Sequence, residues 1–190
     1  GNIALFTAII VVGLVFSYVT RKLNRMVIVF LFSVLVIDAA IIGNYFGLDR
    51  ISQRVQNLTL QTEMRDELNL VNLGIIKDNL IAGTGAGTFV HVFPQYRTAE
   101  IKVHFTHAEN DYFEFLLELG IVGAIPLCIV LVFSIRMQLR LLSNRETQYV
   151  QGIAFGCMLG TVSLLIHAMA DFNLRIPSNA LLFVLLLALP

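Results

Sequence analysis

Charge is scarce in this sequence. Of 190 residues, 13 are basic and 13 acidic, 14% in all, where a soluble domain carries about 25%. The two signs cancel to a net charge of zero, which excludes the basic footprint of a nucleic-acid-binding protein. Cysteine is sparse too. Cys128 and Cys157 lie inside apolar runs without metal-ligand spacing, so neither a disulfide framework nor a zinc site is indicated. The glycine run at 83–87 is not followed by Gly-Lys-Ser/Thr, which removes the nucleotide-binding P-loop. There is no internal repeat or low-complexity tract, and no metal or other cofactor is expected.

What is abundant is apolar sequence: 57% of the residues are hydrophobic and the mean hydropathy is +0.79. The few charges are clustered. Residues 47–111 hold fourteen of them, six basic and eight acidic, and the segments 21–25 and 136–146 hold seven more. Only Asp38, Glu114, Glu118, Asp171 and Arg175 remain elsewhere. The uncharged stretches between approach the roughly 20 apolar residues needed to cross a bilayer. An all-α integral membrane protein is therefore expected, a multi-span helical bundle with one large external loop. The spans are placed at about 2–20, 26–46, 112–135 and 150–170, with an incomplete one at 178–190. The chain has no initiator Met and its last apolar run is short, so it is expected to be the C-terminal part (1–190) of a longer polytopic domain. The first run is no cleavable signal peptide, because its basic cluster follows it.

Lys and Arg in short loops face the cytoplasm. Both 21–25 and 136–146 qualify, the second with three arginines against one acid. Each is one span away from 47–111, which places that loop outside, together with 171–179. Within the loop Met64, Leu68, Val71 and Ile75 recur at i, i+4, i+7 and i+11, one face of a helix. Residues 62–79 therefore read as an amphipathic helix. The glycines at 83, 85 and 87 break any helix and permit tight turns, while their N–H groups alternatively suit an anion nest. Pro126 is expected to kink the third span.

Polar chemistry gathers where the loop meets that span. His104, His107, Glu109, Asp111 and Tyr112 fall within nine positions. Continued as a helix, Asp111, Glu114 and Glu118 share one face. Carboxylates entering a bilayer normally face a cavity or the bundle interior, so this stripe can border a site that holds a general base. A hydrated helix N-terminus, favoured by the helix dipole, fits the same spacing. Arg50, Arg54, Arg65, Arg97 and Arg175 are external, and guanidinium suits bidentate contact with phosphate. Asp38 in mid-span reads either as an ion site or as an interhelical hydrogen-bond partner. His167 and Asp171, four apart, can pair on one helix face.

Three pieces of this sequence resemble the O-antigen ligase and polysaccharide polymerase family of bacterial inner-membrane proteins. They are Ile75-Ile76-Lys77-Asp78-Asn79-Leu80-Ile81-Ala82-Gly83-Thr84-Gly85-Ala86-Gly87-Thr88-Phe89, then His107-Ala108-Glu109-Asn110-Asp111-Tyr112 with Glu118-Leu119-Gly120-Ile121-Val122-Gly123, and His167 to Pro177 with its Asp171-Phe172-Asn173-Leu174 core. The resemblance implies a GT-C-like helical membrane fold and a metal-independent, inverting glycosyltransferase in the bacterial inner membrane. Such enzymes move a glycan from undecaprenyl pyrophosphate to a hydroxyl of lipid A-core, a growing polysaccharide or a protein at the periplasmic face. It also implies a base in the loop and arginines on the donor pyrophosphate. The family pattern has His directly before the Asn, where this chain has Glu109, and retains an earlier His as His107; either can serve as base. Asn110 and Asp111 complete the motif. Arg65 best matches the family arginine, with Arg50, Arg97 or Arg175 as a second. The rival classes are a small-anion transporter, for which Asp38 would matter most, and a non-catalytic component of polysaccharide export.

The topology is tested by alkaline phosphatase fusions. Junctions in 47–111 are expected to be active and junctions after Lys22 or Arg140 inactive; the opposite pattern would invert the orientation.

Overall fold

A computed structural model describes residues 2–20, 29, 32–33, 36, 67–98, 101, 104–143 and 148–189. Asp38, Arg50, Arg54, Arg65, the basic cluster at 21–25 and most of the expected second span lie outside the described residues. Among those described, the structure is helical with no strands. The helices are α1 (Asn2–Thr20), α2 (67–78), α3 (Phe89–Tyr96), α4 (Asp111–Ser143), α5 (Gln148–His167) and α6 (Pro177–Ala188), with a 3₁₀ turn at Asn173–Arg175. Two of them, α4 and α5, are long and apolar enough to cross a membrane. The α4 side chains Val122, Ile125, Ile129, Val130 and Phe133 are exposed in the isolated chain, as apolar surface facing lipid would be.

The chain forms two compact units. In one, α1 and α5 pack through Val12, Ala154 and Met158, joined by Leu142 from the last turn of α4. Phe16 meets Phe155 edge to face at 5.2 Å. Polar side chains within this unit bond to backbone: Gln138 Nε2 donates to Leu186 O at 3.1 Å, and Ser134 donates to Leu187 O. Such bonds join helices where lipid offers no competing partner.

The second unit comprises Leu58–Val132 and Ala168–Ala180. Its core is built on three residues of the expected amphipathic face, Leu68, Val71 and Ile75, with Ile76 beside them; the fourth, Met64, lies outside the described residues. These α2 side chains close on Phe89 and Phe93 of α3 and on Leu117 of α4. Phe89 stacks on Phe93 at 5.4 Å, and Phe93 meets Phe105 edge-on at 5.9 Å.

Helix α4 carries Pro126 within it and breaks six residues before that proline, at Gly120 (φ 61°, ψ −171°). An unbroken helix would bond Ile121 N–H to Leu117 O and Val122 N–H to Glu118 O. Instead the loop before α3 takes both sets of groups. Thr84 and Gly85 N–H donate to Leu117 O and Glu118 O, each at 2.9 Å, while Ile121 and Val122 N–H donate to Leu80 O and Ile81 O at 2.9 and 3.2 Å. The four groups that the break takes out of the helix ladder are therefore all paired. It requires glycine on both sides. Gly83 (φ +70°) and Gly120 face each other so closely that a Cβ on either would lie 2.5 Å from the other's nitrogen. The glycine run thus serves as a backbone socket for α4, and two of its amides are unavailable as an anion nest. The charge-free continuation of the helix begins after this break.

Gly83→Ala and Gly120→Ala are each expected to destabilise this unit by more than about 2 kcal/mol, from left-handed strain plus steric overlap. Gly87→Ala, at φ +74° but with open space around it, should cost only the strain, about 1 kcal/mol. Thermal unfolding of the purified protein in detergent ranks the three; a Gly87 variant as damaging as the others would refute the socket.

Candidate active site

Helix α4 starts as its sequence directs. Asn110 caps it, its Oδ1 accepting the N–H groups of Tyr112 at 3.0 Å and Phe113 at 3.3 Å, which satisfies two of the orphan donors of a helix N-terminus. The expected stripe follows. Asp111, Glu114 and Glu118 lie on one face, and that face is not open: the three residues are 1%, 2% and 1% exposed.

Buried carboxylates need partners, and each of these has them. Asp111 Oδ2 accepts the Leu174 N–H at 2.7 Å, and the Asp111 N–H donates to Ala168 O at 3.0 Å. Both contacts tie the start of α4 to the segment 168–180. From the 3₁₀ turn of that segment Arg175 reaches both glutamates. Its Nη2 donates to Glu118 Oε2 at 2.7 Å, and its Nε stands 3.2 Å from Glu114 Oε1 as an ion-pair contact without hydrogen-bond alignment. The guanidinium carbon lies 4.6 Å from the centre of the Phe115 ring, a cation–π arrangement. Glu118 Oε1 accepts the Phe89 N–H at 3.2 Å, which places a carboxylate at the N-terminus of α3, where the helix dipole favours it.

Glu114 faces the loop end. Its Oε1 is 3.0 Å from His107 Nδ1, and its Oε2 accepts the Ala108 N–H at 2.8 Å. Ala108 is also held from α2, where the buried Asn72 donates Nδ2 to Ala108 O at 3.2 Å. The chain is thus pinned at Ala108 and enters α4 by Asp111. The turn between is made by Glu109, the sole non-glycine residue with positive φ (54°) among the described residues, a conformation that costs a residue with a Cβ about 1–2 kcal/mol. The His107 ring stacks on Phe172 with centroids 4.6 Å apart, and its side chain is 34% exposed while Glu114 behind it is buried.

Of the residues singled out from sequence, His107, Glu109, Asn110, Asp111 and Arg175 are thus brought to one turn and the first two turns of α4. Arg97 is not among them. It ends α3, exposed, its backbone N–H donating to Phe93 O at 3.0 Å. Arg50 and Arg65 lie outside the described residues. Sequence reasoning marked Glu114 and Glu118 only as a polar stripe, although both are bound into the cluster. Their i, i+4 spacing beside a stray external arginine was the available signal. Phe172, Phe115, Asn72 and the backbone donors carried none. Among the described residues no group of three His, Cys, Asp or Glu is arranged to hold a metal ion.

Arg175→Met leaves two buried carboxylates without their counter-charge and is expected to lower stability by about 3 kcal/mol. Adding Glu118→Gln to that variant should restore part of the loss. Unfolding midpoints of the single and double variants check this; strictly additive losses would show that Arg175 and Glu118 act independently.

The O-antigen ligase family profile matches residues 1–128. No curated protein and no solved structure matches the chain. The matched region includes the glycine socket, the His107–Asp111 turn and both glutamates of α4, and ends before Arg175. It takes in well over half of the sequence, and the chain accordingly belongs to the O-antigen ligase family, a family of membrane enzymes of the glycosyltransferase type.

Proposed function

We propose that this protein transfers a glycan from undecaprenyl pyrophosphate to an acceptor hydroxyl at the periplasmic face of the bacterial inner membrane, with inversion at the anomeric carbon. The acceptor is a hydroxyl of lipid A-core, a growing polysaccharide or a protein. The observation that carries this reading is the His107–Asp111 turn, which holds His107 against the buried, ion-paired Glu114 and includes Glu109 within the family-matched residues.

One of these two side chains removes the acceptor hydroxyl proton as the oxygen attacks the anomeric carbon. The glycosidic bond to pyrophosphate breaks, and its electron pair leaves with the pyrophosphate. Arginine offsets the charge that develops there. Arg175 is engaged by Glu114 and Glu118, which suits it to holding α4 and the 168–180 segment together. The pyrophosphate contact is therefore assigned to Arg65, with Arg50 as a second cation. Departure of the pyrophosphate supplies the driving force, so the reaction requires no nucleotide outside the cytoplasm.

His107→Gln, Glu109→Gln and Arg65→Met are tested singly for glycan transfer in cells lacking the native enzyme, with membrane abundance measured alongside. Loss of the base is expected to lower transfer about 10²- to 10⁴-fold, and Arg65→Met is expected to lower it as well. Undiminished transfer by both the His107 and the Glu109 variants would remove the proposed base.

A further inference from the structure

The position of Glu114 is unusual for a residue in the first turn of a helix. A carboxylate there ordinarily sits in water, where the dipole favours it. Glu114 is instead 2% exposed, and it directs one oxygen at His107 Nδ1 and the other at the Ala108 N–H.

We infer that Glu114 is a positioning residue that selects His107, rather than Glu109, as the base. This rests on the glycosyl-transfer reading above. An ionised carboxylate only accepts hydrogen bonds, so the nitrogen 3.0 Å from Oε1 must carry the proton. Neutral His107 is thereby held as the Nδ1–H tautomer, and the lone pair is on Nε2. The ring plane is fixed by the stack on Phe172, with 14° between the planes. The backbone beside it is fixed through Ala108, by Glu114 on the amide and Asn72 on the carbonyl. Orientation of an imidazole through Nδ1, with Nε2 directed to the reacting proton, is the arrangement that activates a hydroxyl.

The charges around the ring favour the same step. Among the described residues Arg175 is shared between the buried carboxylates Glu114 and Glu118, and Glu114 also turns an oxygen to His107, where a carboxylate favours a positive charge on the ring. When Nε2 takes the hydroxyl proton, the oxygen's electron pair forms the new bond to the anomeric carbon and the old carbon–oxygen electron pair leaves with the pyrophosphate. The resulting imidazolium stands against Glu114 with its Nδ1–H already bonded, so no group need reorient. The proton passes to solvent after the products leave, through the exposed side of the ring.

The test uses the full-length protein in proteoliposomes, with the host's undecaprenyl-pyrophosphate-linked glycan as donor. Glu114→Gln is expected to lower kcat roughly a hundredfold, with the donor KM changed less than about twofold. On the His107→Gln background the same substitution should cause no further loss, because residues acting as one unit are not additive. A multiplied loss in the double variant, a change confined to KM, or unchanged kcat in Glu114→Gln would overturn the inference. A second measurement does not depend on that variant folding. Nitrogen-15 spectra of the wild-type protein, with His107 assigned by its absence from His107→Gln, should show Nδ1 protonated at neutral pH; protonation on Nε2 alone would overturn it. The two readings fail separately. Transfer kept by His107→Gln and lost by Glu109→Gln overturns only the role of Glu114, while transfer kept by both removes the base reading itself.

Discussion

Two glutamates on one helical face, both withdrawn from water, constrain everything around them in the unit that holds the candidate site. An ionised carboxylate loses several kcal/mol of solvation on burial unless charge and hydrogen bonds replace it. Glu114 and Glu118 recover it from three separate pieces of chain: the Arg175 turn, the loop end with its His107 ring and Ala108 amide, and the first amide of α3. Because the partners come from three different segments, satisfying the carboxylates places those segments relative to one another. The same contacts that solve a solvation problem therefore assemble the site.

The carboxylates hold these partners only if α4 is held in register with the glycine loop. The backbone exchange at Gly120 does this without side chains. Leu117 and Glu118 turn their carbonyls to Thr84 and Gly85, and the two residues after the break turn their amides to Leu80 and Ile81. The two hydrogen bonds removed from the helix are replaced by four across the gap, so breaking α4 costs little while joining two distant motifs. It also separates the helix into two parts with different surroundings. The first carries the buried acids, and the second carries the uncharged run suited to lipid.

Family membership and geometry bear on different questions. The profile match identifies glycosyl transfer as the type of chemistry, and it covers residues whose partners it does not include. Arg175 lies beyond the match, yet the two family-matched glutamates depend on it for their counter-charge. Phe172, from the same segment, completes the stack on His107. The carboxyl-terminal motif is thus bound to the loop motif through direct contacts. That coupling explains why the pattern of residues from 75 to 177 is informative as a set when no single piece is.

Much of this was legible in the sequence. Charge scarcity and its clustering identified apolar helices, because lipid excludes unpaired charge. Period marked the core face of α2 through Leu68, Val71 and Ile75, and the i, i+3, i+7 spacing placed Asp111, Glu114 and Glu118 on one face of α4. Alternate glycines announced a loop that needs left-handed backbone. Local rules suffice for these features, since each depends on neighbours within two turns. Only the tertiary structure decided the rest. It put a break in α4 at Gly120, because the donors and acceptors that compensate it come from residues 80–85. It paired Arg175 with the two acids, and it turned a polar stripe into a buried support for His107. These outcomes depend on groups some thirty to sixty-five residues apart meeting in one place where water is excluded, and spacing along the chain carries no record of that meeting.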